Sequence, residues 1–100
     1  MKKKFKLFNT TWNIEVVDAI DSGDENVVQY GKTDGLTHTI YIAKTVGGIE
    51  QTEEEKALTL LHEIFHAVLQ VGAYSSYCQS EPLVEWLANC VYALKKQGIL

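Results

Sequence analysis

Two histidines four residues apart bracket a glutamate in the segment His62-Glu63-Ile64-Phe65-His66. Four residues of an α-helix advance about 400°, so the two imidazoles project from one face about a turn apart. At that separation both rings can bind one Zn²⁺ at about 2.0–2.1 Å. Glu63 lies slightly off that line, where its carboxylate can approach a metal-bound water. The His-Glu-x-x-His pattern therefore predicts zinc binding.

A zinc site needs a third protein ligand, and two glutamates follow the motif. Glu85 is the only charged side chain from Pro82 to Leu94, and a carboxylate among apolar neighbours is costly unless it is paired or bound to metal. We predict Glu85 as the ligand; the alternative is an exposed residue on a polar helix stripe. Glu81 is the rival, although it also suits the first turn of a helix electrostatically. Asn89 could hold the Glu85 carboxylate or make a helix–helix contact.

Sequence signals predict two helices, one that carries the histidine motif and one that carries Glu81 and Glu85. The segment Thr52–Glu55 is typical of a capping box, and Gly72 is a natural end for the helix that follows. Ser80 is expected to cap a second helix, with Pro82 in its first turn and Gly98 after its end. The apolar residues of the first helix follow helical spacing at Leu58, Leu61, Phe65, Val68 and Leu69.

Strand signals fill the first half of the chain. Alternation predicts strands around Trp12–Val17 and at Thr37–Ala43, with a short strand through Val27, Val28 and Tyr30 between them. The sequence therefore predicts an α+β fold, with a small antiparallel sheet of about three strands followed by two helices. One hundred residues suit a single domain spanning 1–100.

Charge and hydropathy argue against some classes of function. A formal charge of −4 and a pI near 5.2 do not indicate the basic surface that binding to nucleic acid requires. Only Met1–Lys6 is basic, and we expect a solvated terminus there. No segment has the pattern of a signal peptide or a membrane span, so we expect a cytoplasmic protein. Cys90 is expected to be buried in the core, and Cys78 is only a weak candidate for an extra ligand.

The two helical motifs together resemble the ImmA/IrrE family of zincin-like metallopeptidases. That family pairs His-Glu-x-x-His with a later Glu-x-x-Ala-Asn, which here are His62–Ala67 and Glu85–Asn89. Small phage-type members also carry strands similar to Tyr30–Asp34 and Thr39–Ile42, so the resemblance covers about residues 12 to 97. The Pro-terminated apolar segment that commonly follows the Ala-Asn pair is missing from this sequence.

The resemblance implies a minimal zincin-like fold with His62, His66 and Glu85 as zinc ligands and Glu63 as catalytic base. It also implies a protein or peptide substrate, such as a regulatory protein of a mobile element. In that mechanism Glu63 takes a proton from the zinc-activated water that attacks a peptide carbonyl, and then delivers it to the leaving amine. Candidate donors to the carbonyl oxygen are His38, Tyr74, Tyr77 and Tyr92.

An extended substrate could pair along the edge of the strand at Thr37–Ala43. One alternative is a non-catalytic, metal-containing module that binds a protein, because a short chain offers little material for a deep cleft. Another is a metal-free core in which His62 and His66 simply face solvent.

Overall fold

A computed structural model of the chain describes residues 3–24, 26–72 and 74–100. Strands come first and helices follow, which confirms the α+β class. The elements in chain order are β1 (Lys4–Leu7), β2 (Thr10–Val17), β3 (Gly31–Asp34), β4 (Thr39–Ala43), β5 (Thr45–Val46), β6 (Ile49–Glu50), α1 (Glu53–Val71), a 3-10 turn (Ser75–Tyr77) and α2 (Glu81–Lys96).

Four strands form the main sheet in the order β1-β2-β4-β3, while β5 and β6 make a separate hairpin. The outer pairs are antiparallel, but β2 and β4 run parallel, with Ile14 opposite Ile40. The prediction of an antiparallel sheet of about three strands is therefore wrong in strand number and direction. The chain leaves β2, crosses to the far edge as β3, and returns as β4 between them. Strand β4 is accordingly the most buried of the sheet.

Two local expectations need correction. Of the basic start Met1–Lys6, residues 1 and 2 lie outside the described residues, and Lys4 and Lys6 are exposed as expected, but they belong to β1, which pairs with β2 and turns Phe5 and Leu7 towards the core. The strand expected through Val27, Val28 and Tyr30 begins instead at Gly31. In both places a hairpin pairing, of β1 with β2 and of β3 with β4, determines where the strand lies, and the residue pattern of one strand alone does not show it.

The core lies between the sheet and one face of α1. Trp12, Ile14, Ile40 and Ile42 from the sheet pack against Ala67, with Leu60 and Ile64 beside it. Helix α2 buries Val84 and Ala88, whereas Trp86 and Cys90 are exposed on its outer side. The expectation of a buried Cys90 is wrong, because α2 buries only one narrow stripe.

Helix α1 begins and ends as predicted. Thr52 accepts a hydrogen bond from the Glu55 backbone N–H at 3.1 Å, and the Thr52 N–H donates to the Glu55 carboxylate at 2.9 Å. This reciprocal pair confirms the capping box, and Gly72 is the C-cap. Over residues 3–24, 26–72 and 74–100, neither helix has the length and apolar character needed to cross a bilayer.

Candidate metal centre

Helix α1 brings His62, Glu63 and His66 together at one place. Each offers a possible ligand atom, and these atoms lie within 4.8 Å of one another. The Nε2 atoms of the two histidines are 3.2 Å apart. Two ligands of a tetrahedral zinc ion with bonds of 2.0–2.1 Å would lie roughly 3.4 Å apart. The spacing of the imidazole nitrogens therefore fits zinc without a large rearrangement.

The opposite ring nitrogens have partners of their own. Nδ1 of His62 lies 2.9 Å from Glu85 Oε2, and Nδ1 of His66 contacts the backbone carbonyl oxygen of Cys78. A neutral imidazole that donates through Nδ1 keeps a lone pair on Nε2. Such contacts orient the imidazole rings. These contacts hold the two rings with their Nε2 atoms close to each other.

A single carboxylate spans the two converging nitrogens. Oε2 of Glu81 lies 2.9 Å from His62 Nε2, and Oε1 of Glu81 lies 3.0 Å from His66 Nε2. Glu85 reaches only the far side of His62, and Asn89 donates to its carboxylate at 3.1 Å, which is one of the two roles considered for Asn89. The contacts place Glu81, the rival from the sequence, where a third ligand would bind. Glu85 as the ligand stays a prediction.

Glu63 is buried between α1 and the edge strand β3. Its Oε1 accepts a hydrogen bond from the Thr33 hydroxyl at 2.8 Å. Burial raises the pKa of the Glu63 carboxyl above its ordinary value, while this hydrogen bond and the imidazoles of His66 and His62 oppose the rise. A carboxylate with a raised pKa is a stronger base than an exposed glutamate.

These side chains line an open pocket of about 670 Å³. One wall is formed by residues 27–33, which lead into and include most of β3, and the other by α1 and the start of α2. Strand β4 has neighbours on both sides, so the expected pairing of a substrate along Thr37–Ala43 is wrong. The sheet edge that borders the site is β3.

The four candidate oxyanion donors lie elsewhere. His38, Tyr74, Tyr77 and Tyr92 are absent from the residues that line the pocket within the described part of the chain. The His38 ring packs on Trp12 with centroids 5.1 Å apart, and Tyr92 lies near Lys96. The sequence reasoning also missed Thr33 and the Cys78 carbonyl, because each reaches the site through a contact between distant parts of the chain.

No protein-family model, curated protein or solved structure matches this chain. The resemblance to the ImmA/IrrE family therefore rests on the two helical motifs and stays a prediction.

Proposed function

We propose that this protein is a zinc-dependent peptidase of the ImmA/IrrE-like type, which cleaves peptide bonds in a protein or peptide substrate. The observation that carries the proposal is the convergence of two imidazole Nε2 atoms, 3.2 Å apart, beside the buried carboxylate of Glu63 in an open pocket. When bound there, zinc would act as a Lewis acid and lower the pKa of water to about 7.

In the proposed site, His62, His66 and a glutamate of α2 hold the metal. The contacts favour Glu81, because its two oxygens lie 2.9 and 3.0 Å from the two Nε2 atoms. The family motif favours Glu85 instead. If Glu81 is the ligand, Glu85 holds the His62 ring through Nδ1, as carboxylates commonly do behind metal-bound histidines.

Glu63 is the proposed general base. Its carboxylate takes a proton from the attacking water and then passes it to the nitrogen of the leaving amine. The substrate would lie extended along β3, pairing its backbone with the outer edge of that strand, which has no further strand beside it among residues 3–24, 26–72 and 74–100. A regulatory protein as substrate and a cytoplasmic location stay predictions from the sequence.

The first test combines zinc content with peptidase activity. We expect about one zinc per chain, and cleavage within a library of peptides that falls at least about 100-fold in Glu63→Gln, since general-base catalysis contributes roughly 10²–10⁴-fold. Gln keeps the shape of the side chain and can still accept from Thr33. A purified protein without affinity for zinc would contradict the site, and equal activity of both proteins would contradict the base.

A second candidate function is a non-catalytic binding module, and the contacts around the two histidines support it. Glu81 contacts Nε2 of both His62 and His66, and Glu63 offers a ligand atom within 4.8 Å of those of the two histidines, so a fourth protein ligand is within reach. A structural zinc site is closed by four protein ligands, whereas a catalytic site keeps a position for water. X-ray absorption at the zinc edge distinguishes these two ligand sets.

A further inference from the structure

The edge strand β3 lies close against helix α1 at Gly31. A Cβ atom at this position would lie 2.7 Å from Thr59 Cγ2 and 2.8 Å from Glu63 Cγ. It would also lie 3.1 Å from Glu63 Oε2. Real Cβ atoms essentially never come this close to another heavy atom, so a side chain here would force the Thr59 and Glu63 side chains or the strand to shift. The missing side chain of Gly31 therefore leaves space for one oxygen of the Glu63 carboxylate.

Thr33 contacts the other oxygen. It lies two residues further along β3, so its side chain is on the same face of the strand as Gly31. The hydroxyl oxygen of Thr33 is 2.8 Å from Glu63 Oε1 and 3.0 Å from the Glu63 backbone oxygen. One hydroxyl thus contacts both ends of the same residue. This pair of contacts restricts the rotation of the Glu63 side chain.

We propose that β3 positions the general base, with Thr33 engaging Oε1 of Glu63 and Gly31 leaving Oε2 free to take the proton. This inference rests on the proposed function for its catalytic meaning. Thr33 is then a positioning residue, since it acts through Glu63 and does not touch the reacting atoms. A substrate that pairs with the edge of β3 would be aligned on the same strand that orients the base, which fixes both reacting partners to one element.

The kinetic test uses three threonine variants of the zinc-loaded protein. Thr33→Val keeps the shape but removes the hydroxyl, Thr33→Ser keeps the hydroxyl, and Thr11→Val makes the same change at an exposed position of β2. A hydrogen bond to a charged group contributes about 1.5–3 kcal/mol. We therefore expect kcat of Thr33→Val to fall roughly 10- to 100-fold with little change in KM. Thr33→Ser and Thr11→Val should stay close to the parent. A parent-like kcat in Thr33→Val would overturn the proposal.

A second measurement needs neither zinc nor activity. In protein labelled with ¹³C-glutamate, the Glu63 carboxyl resonance is assigned by its loss in Glu63→Gln. At a pH where the carboxyl is ionised in every variant, its shift should differ between H₂O and D₂O in the parent and in Thr33→Ser, and this difference should be smaller in Thr33→Val. Its absence in the parent itself would overturn the arrangement, even if Thr33→Val failed to fold. A parent that shows the isotope difference but cleaves no peptide would contradict the proposed function while supporting the contact.

Discussion

Helices α1 and α2 both place side chains at the candidate metal centre, but they do so under different conditions. The side chains of His62 and His66 on α1 are only 17% and 10% exposed, whereas those of Glu81 and Glu85 on α2 are 64% and 58% exposed. The α1 residues are held by the sheet, the Cys78 carbonyl and their burial. On α2, Glu81 contacts the two histidines, and Glu85 contacts His62 and accepts a hydrogen bond from the Asn89 amide.

This difference suggests a division of roles between the two helices. Exposed ion pairs contribute little to stability, because solvent screens them and long side chains lose rotamer freedom. A site works best when its groups are fixed before the ligand arrives. We therefore regard the α1 side as preorganised, while zinc binding would order the α2 glutamates.

The largest expected effect separates the two glutamates of α2. Glu81→Gln should weaken zinc binding more strongly than Glu85→Gln, because Glu81 faces both Nε2 atoms and Glu85 faces only one Nδ1. Loss of a partner behind a metal ligand typically costs about 10- to 100-fold in affinity, and we expect Glu85→Gln to fall in that range. Competition with a chromophoric chelator measures both dissociation constants. The reverse order would assign the third ligand to Glu85, as the motif predicts.

A change of intermediate size is expected from removing the N-terminal cap of α1, and the start of α2 provides the comparison. Thr52→Ala removes the side-chain cap of α1 and should lower stability by about 1 kcal/mol, or roughly 4–8 °C in melting temperature for a domain of this size. Ser80→Ala is the matched control, since the described residues show no capping hydrogen bond from its side chain. Thermal unfolding of the metal-free proteins provides the measurement. Equal losses in the two variants would contradict the idea that α1 is the better-anchored helix.

The smallest expected effect concerns pH and Glu63 without metal. Burial raises the pKa of this carboxyl in the folded protein, so the folded state retains its proton at pH values where the unfolded chain has lost it. Stability from this group is therefore present at low pH and lost as pH rises through the folded pKa. As the pH rises from the ordinary glutamate pKa through the higher folded pKa, the stability of the parent should fall relative to Glu63→Gln. Urea unfolding at several pH values checks the sign, and a constant difference would contradict it.

The α1 side of the site could be predicted from the sequence because its signals are local. The capping box spans four residues, the His-Glu-x-x-His pattern spans five, and Gly72 marks the end of the helix. Each signal depends only on helical geometry. The α+β class followed similarly from alternation in the first half and helical spacing in the second.

The rest depends on contacts between distant residues. The parallel pairing of β2 with β4 joins Ile14 to Ile40, and the Thr33–Glu63 hydrogen bond joins residues 30 apart. Neither leaves a local pattern. The position of Glu81 depends on the path of the chain between the helices, which sets where α2 begins relative to α1. The periodicity of apolar residues within one segment does not determine where one helix lies relative to another.

The two tryptophans differ in exposure, since Trp12 lies in β2 of the sheet and Trp86 lies on α2, and this difference has a practical use. Trp12 is fully buried in the core, whereas Trp86 follows Glu85 directly and is 65% exposed. A water-soluble quencher such as acrylamide should therefore reduce the fluorescence of Trp86 and spare that of Trp12. The unlabelled protein thus carries one optical reporter for the packing of its sheet and another beside the glutamates of α2.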